Sequence, residues 1–526
     1  MSINQKIFLV LFNLILALGF YIDNKDALYT DLSSDSANII PVCKKKDNPH
    51  LYKNDLYLDN IKDVEYYTPS YVESLRFLSK FSDGDYIQAQ NILGFLNHLI
   101  HGLLWFYFFY TIRNDYWMAL LMMLLTKGVI WPPGAELIGI TELWTIMPRT
   151  VYAALLPLPY LLYVYLKRFK LPIAALVLGL ILNFHPLSGI GGIIGYIALY
   201  VSYLYFNDKL TVSVFRDLGI VLFFCLVGMF PYLLTYLTSV KAELVSRPEL
   251  YQLAFDKRIN GTFSNPIAFI KDWHRGAFYF YFGGFLLFYF YDTSGGKKVF
   301  KMLLAVALCI FLSANLSVYI EQLVNKIFNL SIRMSFQLIR FQKFILVVFQ
   351  IATFLFVVAF LSKYKIRDRY KMVLFVTFYV LLLFADLKPL SSLPLLGDDI
   401  CTTTVPYTLK FREQEVSKRE KDFNLMLDYI KTNTPTDAVF YGSYYIRAGA
   451  ERSVVLDNKG ASMIIEGNPE KFSQWYLDSM TFKSLTNKDK IDFLRMKKVT
   501  YILSKKDDWN FLIPVKVIGD TKLYKL

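Results

Sequence analysis

The chain has little cysteine: Cys43, Cys225, Cys309 and Cys401 are the only four in 526 residues, and none stands at a C-x-x-C spacing. That excludes a disulfide mini-scaffold and a cysteine metal cluster, and two of the four lie inside apolar runs, where a thiol behaves as a small hydrophobe. Charge is scarce as well. Only 19% of residues are Asp, Glu, Lys or Arg, against 55% apolar or aromatic, which excludes disorder and, for most of the chain, a water-soluble enzyme. There is no internal repeat of solenoid type and no low-complexity segment.

What is plentiful is hydrophobic length. Apolar runs of about 16–24 residues recur from Lys6 to Lys388, enough to cross hydrocarbon as helices. About eleven spans are predicted, at 7–22, 89–111, 116–133, 148–166, 171–187, 188–206, 217–239, 276–291, 299–319, 342–362 and 371–387. The net charge of +14 then has a topological origin. With the N-terminus cytoplasmic, the short inner segments carry fifteen basic residues, among them Lys6, Arg113, the Lys167/Arg168/Lys170 cluster and the run from Lys363 to Lys371, against five acids. The positive-inside rule selects that orientation, and no nucleic-acid partner is needed to explain the charge. The first span lacks a small-x-small cleavage site and is expected to be an uncleaved signal anchor.

An odd number of spans leaves three larger pieces outside, at about 23–88, about 240–275 and from about 388 onward. The predicted organisation is a transmembrane domain, 1–387, that includes the extracytoplasmic loop 23–88, followed by an extracytoplasmic α/β domain, 388–526. The cytoplasmic (inner) membrane is the expected location. The first loop holds twelve acids against eight Lys and Arg, with seven tyrosines from Tyr29 to Tyr86 that suggest a folded cap. A helix is predicted there at about 69–81, opened by Pro69. In the tail, a helix is predicted over Lys418–Lys431 and short strands at 438–441, 453–456 and 499–503, with one further helix between the second and third strands.

Polar groups at membrane depth and acids just outside a span are where chemistry is expected, because hydrocarbon makes each costly unless it lines a cavity. Asp31, Asp35 and the later Asp55 lie in the acidic loop, where closely spaced carboxylates can share Mg²⁺ or Mn²⁺ or poise one another as a general base; a solvated acidic turn is the alternative. Lys127, Glu136, Glu142 and Arg149 gather near the outer ends of the third and fourth spans, either as a site or as a snorkelling lysine with a glutamate–arginine rim. His185 precedes Pro186 where a helix must break, and presents an imidazole at the membrane surface. His98 and His101 share a helix face and are expected to be core residues. Lys326, Arg333 and Arg340 are seven apart, so on a continuous helix they form one cationic stripe, with Lys343 a turn further on. Such a stripe suits a lipid phosphate, or nonspecific contact with anionic headgroups.

Met147-Pro148-Arg149-Thr150, Phe184-His185-Pro186-Leu187-Ser188-Gly189, the loop segment from Asn48 to Asp55 and the tail segments from Asn433 and Arg452 resemble an uncharacterised bacterial family of GT-C-like membrane proteins. The wider arrangement of anchor span, acidic outer loop, many spans and outer C-terminal domain resembles the GT-C superfamily of polytopic glycosyltransferases. The resemblance implies a catalytic carboxylate in the first outer loop, Asp35 first, then Asp31 and Asp55. It also implies a lipid phosphate held by Arg333, Arg340, Lys343, Arg149 and Lys127, with His185, Glu136 and Glu142 supporting. GT-C enzymes commonly carry their acid as an adjacent pair nearer the first span than Asp31 and Asp35 lie here. The expected activity is inverting transfer of a sugar from a polyprenyl-phosphate donor to a glycan, lipid or protein acceptor, with a divalent cation as an optional cofactor. A flippase or transporter for lipid-linked substrates, and a non-catalytic envelope scaffold, are the competing readings.

Overall fold

The computed structural model of the chain describes residues 1–128, 146–239, 247–259, 261–274, 277–328, 334–384, 404–410, 416–505, 509 and 511–526. It is mostly helical, with one small sheet near the C-terminus. Five helical segments are long and apolar enough to cross a membrane: Ile3–Asp23, Tyr86–Ile112, Pro186–Phe206, Lys298–Phe328 and Ser335–Lys363. The pair Ser213–Gly228 and Phe230–Thr238, bent by 62°, makes a sixth if it counts as one span. This set is compatible with a multi-pass membrane protein. Other predicted spans are realised as shorter helices, such as Lys170–Leu182 and Asp368–Leu383. The span predicted at 148–166 is two helices, Pro148–Leu155 and Leu158–Tyr165, interrupted at Leu156-Pro157 because proline cannot donate to the preceding turn.

The chain divides into two compact units that do not follow the linear segments. The first comprises Met1–Asn24, Ile92–Phe230 and Gly261–Glu413, the second Lys25–Asn91, Pro231–Asn260 and Gln414–Leu526. The outer loop at 23–88, assigned from sequence to the transmembrane domain, thus groups with the C-terminal segment.

In the first unit, small residues set how closely helices pack. A Cβ on Gly179 would stand 2.3 Å from the carbonyl oxygen of Cys225, and one on Gly228 would stand 2.2 Å from that of Leu176. Helices Lys170–Leu182 and Ser213–Gly228 therefore meet backbone to backbone, the small-residue contact that lets membrane helices gain dispersion energy without a hydrophobic drive. Asn183 adds an interhelical hydrogen bond, donating its Nδ2 to the carbonyl of Gly228 at 2.9 Å.

In the second unit, strands β1 (Val439–Tyr441), β2 (Ser453–Val455), β3 (Tyr501–Ser504), β4 (Pro514–Ile518) and β5 (Thr521–Lys525) form one sheet in the order β2-β1-β3-β5-β4. β1 pairs in parallel with both β2 and β3, while β5 joins antiparallel to β3 and β4. The three strands predicted from sequence are the parallel ones. The β4–β5 hairpin was not predicted, and the single further helix expected between the second and third strands gives way to more than one, Pro469–Ser484 and Asn487–Met496 among them. Helix Lys418–Asn433 opens with a capping box between Ser417 and Glu420 and buries Phe423, Met426, Leu427 and Ile430, spaced to share one face. In the loop segment, helix Pro69–Ser79 matches its prediction, and Ser34–Asp47 is an additional helix. Tyr52, Tyr57 and Tyr71 are fully buried, as a folded cap requires.

Gly228→Ala should destabilise the first unit by about 1–3 kcal/mol, the usual cost of overpacking. Gly219→Ala, in the same helix with open space at its Cβ, should be neutral or stabilising. Thermal unfolding of the detergent-solubilised chain separates the two.

Candidate functional site

In the first unit, helix Pro186–Phe206 begins where the sequence expects the break. Pro186 takes the first helical position, where its missing N–H costs nothing, and His185 is the N-cap. His185 Nδ1 accepts the backbone N–H of Ser188 at 3.1 Å and lies 2.7 Å from Ser188 Oγ. Lys343, buried at the start of helix Lys343–Lys363, donates its Nζ to that same Oγ at 2.6 Å. An ammonium can only donate, so the Ser188 hydroxyl proton is directed to Nδ1, and a neutral imidazole then carries its proton on Nε2. Two residues singled out separately in the sequence are thus joined by a serine that was not.

Arg340 lies three residues before Lys343, in the 3₁₀ turn Ile339–Gln342. Its Nη1 donates to Gln337 Oε1 at 3.0 Å, and its guanidinium carbon stands 4.3 Å from the centroid of Phe263. Gln342 donates to Asn315 Oδ1 at 3.0 Å. The single helical stripe through Lys326, Arg333 and Arg340 does not hold. Lys326 ends one helix, and Met334 and Ser335 start another by donating backbone N–H groups to Glu321 Oε2 at 2.6 and 2.7 Å. A carboxylate at a helix start satisfies donors that a continuous helix would have bonded internally. Arg333 lies outside the described residues, as do Glu136 and Glu142. Arg149 stands in the first turn of Pro148–Leu155, half-buried. Lys127 is fully buried and donates to the carbonyl of His98 at 2.9 Å, the partner that a charge at that depth demands. His98 and His101 are buried, as expected of core residues.

An apolar cavity of ≈ 580 Å³ opens in this unit, walled by Phe108, Tyr160, Tyr196, Leu199, Leu303 and Ile351 among others. A smaller one of ≈ 80 Å³ shares Phe108, Tyr196, Leu199, Leu303 and Ile351 with it and extends to Gly192 and Phe344. Gly192 is one turn from Ser188, and Phe344 follows Lys343, while Lys343, Ser188 and His185 themselves line neither cavity.

The three candidate acids all lie in the second unit, in different settings. Asp35 occupies the first turn of helix Ser34–Asp47 and is half-buried. Asp31 accepts the backbone N–H of Leu28 at 2.7 Å; burial raises its pKa, that hydrogen bond opposes the rise, and Glu420 adds to it. Asp55 is buried against Arg447, whose Nε donates to Asp55 Oδ2 at 2.7 Å and whose Nη1 donates to Asp457 Oδ2 at 2.5 Å. The backbone N–H groups of Val454 and Tyr57 add further donors to Asp55 at 2.8 and 3.2 Å. Burial alone would lower the pKa of Arg447, but the two carboxylates more than reverse this and hold it above its ordinary value. With those donors around it, Asp55 is a structural counter-ion rather than a base facing a substrate. Among the described residues, no three of His, Cys, Asp or Glu are gathered as a metal site.

No protein-family profile matches the chain, and no curated protein matches it. The geometry therefore carries the functional reading alone. Sequence reasoning placed Ser188 in the Phe184–Gly189 motif without giving it a site role and missed Asn315, Gln342 and Glu321, although polar side chains beside or within apolar runs are a usable signal.

Asp55→Asn should destabilise the second unit by about 3–5 kcal/mol, the cost of leaving a buried charge short of its partner. Asp59→Asn, at the more exposed pair with Lys471, should change stability by about 1 kcal/mol or less. Thermal unfolding of the intact chain reads both.

Proposed function

We propose that the chain is a membrane glycosyltransferase that moves a sugar from a polyprenyl-phosphate donor to an acceptor on the outer face of the cytoplasmic membrane. In this reading it has a GT-C-like arrangement of eleven spans, with the N-terminus inside and the C-terminus outside. The observation that carries it is the pair of overlapping apolar cavities, the smaller lined by Phe344, next in sequence to buried Lys343, and by Gly192, one turn from Ser188. An isoprenoid chain needs apolar walls such as Phe108, Tyr196 and Leu303, and its phosphate needs cationic donors such as Lys343 and Arg340.

The chemistry assigned to these groups is an inverting displacement. A carboxylate takes the proton of an acceptor hydroxyl, the oxygen attacks the anomeric carbon, and the bond from that carbon to the phosphate oxygen breaks. Negative charge develops on the departing lipid phosphate, where Lys343 and Arg340 stabilise it. Mg²⁺ or Mn²⁺ would add charge at the same phosphate.

The test uses the full chain in proteoliposomes supplied with polyprenyl-phosphate sugars and a panel of glycan, lipid and protein acceptors, with released polyprenyl phosphate as the readout. Lys343→Met should lower kcat/KM by about 100-fold, as loss of a donor to developing charge does. Release by the unsubstituted chain no greater than that of Lys343→Met would overturn the reading, and movement of lipid-linked sugar across the bilayer without cleavage would replace it with a carrier.

A further inference from the structure

In the second unit the chain enters the sheet at β1, the middle one of the three parallel strands, passes to one side for β2, and later returns on the other side for β3. The loops leaving the carboxyl ends of β1 and its neighbours therefore part in opposite directions. In open sheets with parallel strands that divergence is where ligands bind. Here it forms a crevice of ≈ 780 Å³, walled by the segments that follow all three parallel strands: Gly442–Tyr445, Leu456–Lys459 and Ser504–Lys505. Gly442 is required for this shape, since a Cβ there would stand 2.8 Å from the carbonyl oxygen of Leu503 and push the β1 loop off β3.

Two kinds of wall meet in the crevice. Tyr441 is half-buried and backed by Phe482, its ring centroid 4.9 Å away, and by Trp509 at 6.1 Å; Tyr444 is half-buried and packs on Tyr445 at 4.5 Å. Rigid, partly exposed aromatic faces result. The other wall is cationic. Lys459, Lys490 and Lys505 line the crevice, and none of them belongs to an ion pair among the described residues. The carboxylate among the lining residues, Asp457, is already engaged: Oδ1 accepts the N–H of Lys459 at 2.9 Å, and Oδ2 accepts that of Gly460 at 2.7 Å as well as Arg447. Asn458, Asn487, Ser443 and Ser504 add amides and hydroxyls.

We infer that this crevice binds an anionic saccharide, stacking a sugar ring on Tyr441 or Tyr444 and pairing its phosphate or carboxylate with Lys459, Lys490 and Lys505. The apolar face of a pyranose needs a flat ring, its hydroxyls need amide and hydroxyl partners, and its charge needs lysines not already neutralised. Single-stranded nucleic acid also stacks on aromatics beside lysines, but it calls for a basic groove that follows a backbone rather than a local crevice with side-chain amides. Asp35 belongs to the same neighbourhood. Burial raises the pKa of Tyr444, its hydrogen bond with Tyr445 opposes this, and the charges of Asp457 and Asp35 add to the rise. The inference does not rest on the transfer reaction, because the crevice lies wholly within the second unit and its readout is binding.

The test is calorimetric titration of the full chain in nanodiscs with a phosphorylated mannopentaose, a hyaluronan hexasaccharide, neutral maltohexaose and a hexathymidylate. At least one of the two anionic sugars should bind ten-fold or more tighter than maltohexaose, and the preferred one identifies the anion. Lys490→Glu with Lys505→Glu should weaken that binding ten-fold or more, Lys505→Arg should retain it, and Tyr444→Ala should weaken it, with thermal unfolding confirming that each variant is folded. Equal binding of neutral and anionic sugars, tighter binding of hexathymidylate, no saccharide binding, or an affinity unchanged by the double charge reversal would each overturn the assignment.

Discussion

Taking a guanidinium out of water costs several kcal/mol unless carboxylates and carbonyls replace the solvent. In the second unit that requirement ties together segments 392 residues apart. Arg447 bonds to Asp55 from the outer loop, to Asp457 after β2 and to the carbonyl of Val454 within it at 3.0 Å, while Tyr57 covers its face at 4.7 Å. The backbone carbonyl of Arg447 accepts the Tyr52 hydroxyl at 2.8 Å. Lys44 reinforces the same joint, donating to the carbonyl of Ala448 and to Glu451, both at 2.8 Å. The loop is therefore a built part of the α/β unit, and the position of Asp457, which caps helix Asn458–Met463 and floors the crevice, follows from the charge behind it.

This long-range pairing marks where the sequence stops being informative. Helix positions were legible because apolar length and period are local properties: the spans at 7–22, 89–111, 188–206 and 342–362 all have helices with closely matching limits. The three parallel strands were legible from their short β-branched and aromatic runs. Asp55 was not, because acid spacing in a loop says nothing about a guanidinium from a distant turn. The cationic stripe failed for a related reason. Seven-residue spacing puts side chains on one face only while the helix continues, and the carboxylate that starts a new helix at Met334-Ser335 belongs to Glu321, on the preceding one. The β4–β5 hairpin was missed although Val515, Val517 and Ile518 before Gly519-Asp520 are a local strand-and-turn signal; β4 is the edge strand and alternates between half-buried and exposed residues.

Within the first unit, the same need to satisfy polar groups shapes the candidate site. His185 caps its helix through Nδ1, and that cap works only while Nδ1 is unprotonated. A doubly protonated ring would set a donor against the backbone N–H of Ser188. The cap thus favours the tautomer with the proton on Nε2, and Lys343 favours the serine rotamer that donates to Nδ1. Every group in the chain from Lys343 to Ser188 to His185 points its hydrogen the same way, so the three side chains polarise one another and hold the break before helix Pro186–Phe206 in one arrangement.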